Sequence, residues 1–219
     1  MAEAKRLSMD DVQALVVIPT IPGRDALLKR ACKSIREDVL VAGAIEVDTD
    51  GKGPAAMRNL AVVNSLNAGL RPPWIAFLDD DDEFDPGHVQ ALIEHADATG
   101  ADVVYPWFHL NVGGVLDNSR DPLGAEGRPF DPERLLSANF VPVTALVRTD
   151  LFVQAGGFPE PNSETWPHPD CEDWALWLRL LGLGAKFEHL NRRTWTWHWH
   201  GKNTSGRPDR AAQIYGGTA

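Results

Sequence analysis

Short apolar runs alternate with amphipathic segments through the first half of the chain, and this alternation limits the possible folds more than any other feature. The runs predicted as strands cover residues 14–18, 43–47, 74–78 and 102–105. The segments with helical periodicity cover residues 24–37, 55–67 and 86–99. Apolar runs of this length are typical of buried strands, and helices between them serve as crossover connections. The pattern therefore predicts an α/β domain with a mixed, mostly parallel sheet and helices on both faces.

The second half is less regular, although it still contains recognisable elements. Residues 111–130 and 157–170 are rich in glycine, proline, asparagine or aspartate, and are expected to be long loops of the kind that is usually functional or mobile. Strands are predicted at residues 142–147 and 194–200, and helices at 150–155 and 172–181. The polar, glycine-rich residues 201–219 are expected to form a flexible tail.

Composition argues against several classes of protein. A formal net charge of −10 and a pI of about 5.1 disfavour a nucleic-acid binder that relies on a broad basic face. No apolar stretch approaches the length of a membrane span, and the charged first ten residues lack the apolar core of a signal peptide. Cys32 and Cys171 form no CxxC pair, which favours a reduced, cytoplasmic protein, with a single disulfide between them as the alternative.

Four consecutive aspartates, residues 79–82, directly follow the third predicted strand. In open α/β sheets, ligands bind at the carboxyl ends of the strands. Clustered carboxylates repel one another, and a hard cation such as Mg²⁺ or Mn²⁺ removes that repulsion. A solvated acidic loop is the alternative, but the position after a buried strand favours a cation site.

A second acidic pair, Glu172 and Asp173, opens the apolar helix predicted at residues 172–181. Acids in a first helical turn often only cap the helix and complement its dipole. A carboxylate at the edge of a core can also accept a proton from a bound hydroxyl group. The neighbouring loop and the otherwise almost uncharged helix favour this second interpretation.

The segment at residues 194–200 alternates with period two, which is typical of a strand. Three tryptophans share one face, and His198 and His200 lie on the other with two threonines. The two histidines could form a zinc-binding His-x-His pair, but two ligands alone are weak evidence for a zinc site. We favour one histidine that completes an aspartate-based site and one that orders it. Earlier in the chain, Arg58 could bind phosphate or could be an ordinary surface arginine.

Six motifs occur in the order seen in family 2 glycosyltransferases, which have the GT-A fold, and the resemblance covers roughly residues 14–205. The matching segments are Val16-Val17-Ile18-Pro19-Thr20, Arg58-Asn59, Phe77-Leu78-Asp79-Asp80-Asp81-Asp82, Gly156-Gly157-Phe158, Glu172-Asp173-Trp174 and His200. The resemblance implies an inverting, metal-dependent transfer of a sugar, such as a hexose, from a nucleoside-diphosphate sugar to an acceptor hydroxyl.

The resemblance also implies an organisation and a set of partners. Residues 1–219 would form a single glycosyltransferase domain, with a nucleotide-binding half at about 11–110 and an acceptor-binding half at about 111–200. The donor expected first is a UDP-sugar, with Mn²⁺ or Mg²⁺ as cofactor. The acceptor stays open between a saccharide, a protein and a modified nucleic acid, and a homo-oligomer is possible.

Individual roles follow from the matching positions. Asp173 would be the general base and Glu172 would orient the site, while Asp81, Asp79 and His200 would hold the metal ion. The residues expected to form the nucleotide site are Pro19, Thr20, Arg24, Asp48, Asp50, Arg58, Asp79 and Asp80. Two departures from the family pattern leave questions open: whether Asp48 or Asp50 reads the base, and what Arg24 does in a first turn that is longer than usual. The relative roles of His198 and His200 also stay open.

Three other functions could use parts of this pattern. A nucleotidyltransferase would usually carry a glycine-rich phosphate loop after the first strand, and residues 19–24 do not supply one. A non-catalytic carbohydrate-binding module could use the eight tryptophans to stack on sugars, with Trp107 and Trp166 expected to be the exposed ones. A metal-dependent phosphoesterase would not need the Glu172-Asp173 helix.

Overall fold

The computed structural model describes residues 11–36, 41–159 and 171–200. Its strands are β1 (Ala14–Thr20), β2 (Val41–Val47), β3 (Trp74–Phe77), β4 (Glu83–Phe84), β5 (Val103–Val112), β6 (Val115–Leu116), β7 (Leu146–Arg148) and β8 (Phe187–Trp199). Its helices are α1 (Asp25–Ile35), α2 (Pro54–Asn67), α3 (His88–Thr99), α4 (Pro132–Leu135), α5 (Thr149–Gln154) and α6 (Glu172–Gly182). The predicted alternation of strands and helices in the first half is confirmed.

The strands of the described residues form one mixed sheet in the order β2-β1-β3-β7-β5-β8-β4, and β6 pairs with β5. Strand β1 is parallel to both β2 and β3, and β5 is parallel to β8. Strand β7 lies antiparallel between β3 and β5, so β3 and β5 point the same way. The long strands therefore share one direction, and the predicted mixed, mostly parallel sheet is confirmed.

Helices cover both faces of the sheet, as the apolar character of its strands requires. Every residue of β1 and β3 is buried, which leaves no face of these strands for water. On β2, a Cβ at Gly43 would lie 3.0 Å from Ile35 of α1, whereas Glu46 accepts a hydrogen bond from Asn64 of α2. Because residues 43 and 46 point to opposite faces of a strand, α1 and α2 pack on opposite sides.

Three strand boundaries differ from the predictions by more than two residues. Strand β5 continues to Val112 instead of ending at residue 105, because β8 pairs with it along its length. Strand β8 begins at Phe187 instead of residue 194; its polar stretch at 191–193 breaks the alternation, and the register with β5 shifts around Trp107. Strand β7 covers only Leu146–Arg148, since residues 142–145 form a bend and turn.

The Gly-Gly-Phe motif joins the end of α5 to helix α2. Asn59 donates through Nδ2 to the carbonyl of Phe158 (2.8 Å) and accepts the Phe158 N–H on Oδ1 (2.9 Å). The close approach requires Gly157, whose φ is +73° and whose Cβ, if present, would lie 2.4 Å from Asn59 Oδ1. The Phe158 ring packs against Phe77 of β3, with centroids 4.9 Å apart. The motif thus fixes where the chain enters the segment after residue 158.

Several sequence-based expectations fall outside the described part of the chain. These concern the expected flexible tail at 201–219, most of the loop at 157–170, and Trp166. Among the described helices, none has the length and apolar character needed to cross a membrane. No disulfide joins Cys32 and Cys171.

Candidate active site

A cleft of about 940 Å³ opens beside the carboxyl ends of β1 and β3. Its walls include the turn after β1, the loop after β2, the aspartates that follow β3 and the first turn of α6. Strand β8 contributes Trp195 and Trp197, and His200 lies just beyond its end. Asp81 and Asp173, which are 92 positions apart in the sequence, therefore face one cavity.

The four consecutive aspartates at residues 79–82, the acid run, divide into two groups of side chains. Asp79, Asp81 and Asp82 each offer a carboxylate oxygen within 4.8 Å of the other two. Asp80 is buried and serves the turn after β1 instead: it accepts a hydrogen bond from Thr20 Oγ1 (2.5 Å) and pairs with Arg24 Nη1 (2.8 Å). A set of hard oxygen donors at this spacing suits Mg²⁺ or Mn²⁺.

Charge crowding within this set is severe at Asp82. Burial raises the pKa of Asp82 well above its ordinary value, and the charges of Asp79 and Asp81 raise it further. Its Oδ1 accepts the backbone N–H of His198 (2.8 Å), which lowers that pKa only in part. A divalent cation among the three carboxylates would remove their mutual repulsion, so the residues present fit such an ion.

Asp81 is the most heavily contacted member of the group. Its Oδ2 lies 2.6 Å from Arg24 Nη2 and 3.0 Å from His200 Nε2. Burial opposes its ionisation, but the contacts with His200 and Arg24 outweigh this effect and hold the pKa of Asp81 below its ordinary value. An ionised carboxylate at this point is what a metal ligand requires.

The two histidines contact different carboxylates. His198 Nε2 lies 2.8 Å from Glu83 Oε1 on β4, whereas His200 contacts Asp81. Among residues 11–36, 41–159 and 171–200, the closely spaced group of three donors is Asp79, Asp81 and Asp82, and no group of three or more donors contains His198 and His200. The geometry places His200 beside the acid run and His198 in the pairing of β4 with β8.

Arg58 connects the acid run with helix α6. Its guanidinium is buried and donates through Nη2 to Asp79 Oδ1 (2.6 Å) and through Nη1 to Glu172 Oε1 (2.7 Å). Burial raises the pKa of Asp79, and the charge of Arg58 opposes that rise. The guanidinium also lies over the Phe158 ring, 5.2 Å from its centroid. The expected phosphate contact of Arg58 thus stays a prediction, since these carboxylates already hold the side chain.

Asp173 sits in the first turn of α6 with both oxygens contacted. Oδ1 accepts the N–H of Trp174 (2.8 Å), and Oδ2 accepts from Asn139 Nδ2 (3.1 Å). Burial, with the charge of Glu172 as the next cause, raises the pKa of Asp173 to about 7. A carboxylate that titrates near neutral pH is suited to accept a proton from a bound hydroxyl group.

Asn139 is a site residue that sequence reasoning missed. Its Oδ1 accepts the N–H of Val141 (3.3 Å), which turns Nδ2 toward Asp173. A single asparagine in an irregular segment forms no motif, and it lies 34 positions from its partner. Only the fold reveals the contact.

The loop after β2 separates the two candidate base-reading acids. Asp48 is buried and accepts the backbone N–H groups of Asp50 (3.2 Å), Lys52 (3.0 Å) and Gly53 (2.7 Å), which lower its pKa. Asp50 is exposed and pairs with Lys52 Nζ at 3.2 Å. Asp48 lines the cleft together with Pro19 and Thr20.

The expectation that Trp107 is exposed is wrong. Its side chain is 1% exposed. Strand β5 continues through residue 107 and pairs there with β8, and the Trp107 ring packs against His189, with ring centroids 5.6 Å apart. This removes one of the two sugar-stacking residues on which the carbohydrate-binding alternative depended.

Comparison with known proteins decides the family. The profile of glycosyl transferase family 2 matches residues 44–154, about half of the chain. The chain belongs to glycosyl transferase family 2. The matched region of this family 2 glycosyltransferase contains the acid run and Asn59, and ends before the Gly-Gly-Phe motif and α6. No curated protein sequence gives a significant match.

Solved structures show the same fold for this family 2 glycosyltransferase. S. aureus TarS 1–349 in complex with UDP-GlcNAc superimposes with a TM-score of 0.62 at 14% identity, over 90% of this chain and 61% of that one. The same TarS fragment with UDP gives 0.59 at 14% identity, over 93% and 70%. Longer S. aureus TarS gives 0.62 at 15% identity, over 86% and 37%. The chain thus spans about three fifths of the TarS fragment bound to UDP-GlcNAc, and the likeness confirms the predicted GT-A architecture.

Proposed function

We propose that this protein transfers a sugar from a nucleoside-diphosphate sugar to an acceptor hydroxyl, with a divalent cation bound at the acid run and with inversion at the anomeric carbon. The observation that supports this most is the shared cleft. It holds a cluster of three carboxylates on one side and, on a separate helix, a carboxylate whose pKa lies near 7. A transferase of this type needs both, at a distance from each other.

The acid run would hold Mn²⁺ or Mg²⁺ through Asp79, Asp81 and Asp82, with His200 beside Asp81. The leaving group is a nucleoside diphosphate, which gains negative charge as its bond to the sugar breaks. A bound divalent cation supplies electrostatic stabilisation of that charge. Around it, Arg58 holds Asp79 in place, and Thr20 holds Asp80.

Asp173 would act as the general base. As the acceptor oxygen bonds to the anomeric carbon, its proton passes to the Asp173 carboxylate and the bond to the phosphate oxygen breaks. A single displacement of this kind inverts the anomeric configuration. Asn139 holds the carboxylate in position, and Glu172, fixed by Arg58, sets the start of α6. No nucleophilic side chain is required.

The donor we propose is a UDP-sugar. The TarS structures of the same fold contain UDP-GlcNAc or UDP, an analogy that rests on fold alone. Pro19, Thr20 and Asp48 line the cleft, and the nucleoside would lie beside them. We assign base reading to Asp48 over Asp50 because Asp48 faces the cleft, and a carboxylate can still accept a further hydrogen bond beside its backbone contacts.

We further propose that residues 11–110 bind the donor and residues 111–200 bind the acceptor within one domain. The acid run, the Asp48 loop and Arg24 belong to the first part, and Asn139 and Asp173 to the second. The acceptor, whether a saccharide, a protein or a modified nucleic acid, would enter beside Asp173. Loops surrounding a rigid sheet are suited to set such specificity.

A donor screen tests the proposal. The protein is heated with each of a panel of nucleotide sugars, with and without Mn²⁺, and the unfolding temperature is recorded, since a ligand of the folded state raises it. Donors that stabilise the protein are then incubated with Mn²⁺ and with saccharide, protein and modified nucleic-acid acceptors, water serving as the acceptor in a parallel sample. Nucleotide release and the anomeric configuration of the product are followed by NMR. We expect one UDP-sugar to stabilise the protein only with Mn²⁺ and to be consumed with inversion. Binding without any turnover, or retention of configuration, would contradict the proposal.

A further inference from the structure

The turn between β1 and α1 places a positive charge directly on the acid run. Arg24 follows Gly23, whose φ of +86° turns the chain, and it immediately precedes α1. From there its guanidinium spans two aspartates: Nη1 lies 2.8 Å from Asp80 Oδ1, and Nη2 lies 2.6 Å from Asp81 Oδ2. One arginine therefore bridges a structural carboxylate and a carboxylate of the proposed cation site.

The two aspartates that Arg24 contacts differ in burial and in how firmly they are held. Asp80 is 2% exposed and is also held by Thr20, so it forms a fixed anchor. Asp81 is more accessible, faces the cleft, and is the member of this pair that belongs to the cluster with Asp79 and Asp82. The Arg24 side chain is 30% exposed, which leaves room for Nη2 to move away from Asp81 while Nη1 keeps its contact with Asp80.

Arg24 and a divalent cation compete for Asp81, because both are held by the negative charge of one carboxylate and Oδ2 already has contacts with Arg24 and His200. We propose that Arg24 occupies the place of the cation on Asp81 in the ligand-free protein, and that it transfers to the diphosphate of the donor when cation and donor bind together. The inference rests on the proposed function, since it concerns the same cation and donor. It assigns to Arg24 a part that its position in the unusually long first turn left open.

The charges favour such a transfer. Without ligand, the aspartates after β3 need positive partners, and Arg24 is one of them. A divalent cation neutralises the aspartates more completely, which weakens the hold of Asp81 on Arg24. The diphosphate brings new negative oxygens into the cleft, and a guanidinium forms bidentate contacts with phosphate readily. Cation and donor should therefore each favour the binding of the other.

Mn²⁺ titrations followed by EPR, which detects the free ion, test this inference without any measurement of activity. The proteins are wild type, Arg24→Ala, Arg24→Lys, and Arg71→Ala as the control, which removes a positive charge before β3 at the far end from the acid run. Each is titrated with Mn²⁺ alone. UDP affinity is then measured by calorimetry at saturating Mn²⁺.

We expect Arg24→Ala to bind Mn²⁺ alone about tenfold more tightly than wild type, because a charge-assisted contact no longer competes. We expect the same variant to bind UDP about tenfold more weakly. Arg24→Lys should change both affinities in the same directions but less, and Arg71→Ala should match wild type. Opposite changes in the two affinities cannot come from a general loss of structure, which would weaken both.

Unchanged or weaker Mn²⁺ binding by both Arg24 variants, with normal Mn²⁺ binding by wild type, would overturn the inference and leave the proposed function standing. Tighter Mn²⁺ binding with unchanged UDP affinity would overturn the transfer to the diphosphate. A wild-type protein that binds no Mn²⁺, with or without UDP, would overturn the metal dependence and this inference together.

Discussion

Substitution of Gly157 by alanine should destabilise the protein far more than the same change at Gly156. Both glycines have positive φ, +77° at Gly156 and +73° at Gly157, so each substitution costs about 1 kcal/mol in backbone strain. A Cβ at Gly156 would meet nothing within 4 Å, whereas one at Gly157 would lie 2.4 Å from Asn59 Oδ1. The asparagine would have to move and lose its two hydrogen bonds to Phe158, worth about 1 kcal/mol each.

We therefore expect Gly156→Ala to lower the free energy of unfolding by about 1 kcal/mol and Gly157→Ala by about 3 kcal/mol. Urea denaturation gives both values, and equal m-values for wild type and variants confirm that the same transition is compared. Asn59→Ala supplies the decisive background, because it removes the Asn59 Oδ1 and Cγ atoms that the new Cβ would approach to 2.4 and 3.1 Å and leaves only the milder contact with Phe152 Cζ at 3.3 Å. In that background Gly157→Ala should cost only about 1 kcal/mol, as at Gly156. An equal loss of unfolding free energy at the two glycines would refute the proposed contact between residue 157 and Asn59. So would a loss for Gly157→Ala that is undiminished in the Asn59→Ala background.

Three further predictions concern the cleft. Asp173 must be ionised to accept a proton, and burial raises its pKa to about 7. The value of kcat/KM should therefore rise with pH up to about 7 and then level off. Asn139→Ala removes a hydrogen-bond donor to the ionised carboxylate and should shift this rise to higher pH. A flat profile below pH 7 would exclude this base. Asp81→Asn should weaken Mn²⁺ binding by about a hundredfold in an EPR titration, and an unchanged affinity would place the ion elsewhere. Arg58→Lys should lower the free energy of unfolding by about 2 kcal/mol in urea, because a lysine cannot bridge Asp79 and Glu172; a neutral result would show that the bridge is dispensable.

The parts of the fold that depend on local patterns could be predicted from the sequence. The apolar runs of β1 and β3 are short and continuous, and each ends in a polar or proline-containing turn. The acid run follows β3 directly, so its place at the carboxyl edge of the sheet required only that β3 be a strand. The first turn of α6 was predictable for the same reason, since its apolar face repeats with helical spacing.

Other features depend on partners distant in the sequence. The early part of β8 is a strand because β5 pairs with it, although Asn191, Arg192 and Arg193 carry no alternation. Trp107 is buried by the same pairing. Contacts between single polar side chains, such as Asn139 with Asp173 or Arg24 with Asp81, leave no local signal, because asparagine and arginine are common in loops for other reasons.

The proposed mechanism depends most on the separation of donor binding from proton transfer across the cleft. The direct measurement is calorimetric titration of Asp173→Asn with UDP at saturating Mn²⁺, combined with turnover of the donor identified by the screen. We expect wild-type affinity for UDP and a fall in kcat of at least about a hundredfold, since only the base is lost. Turnover by Asp173→Asn at the wild-type rate would contradict this mechanism.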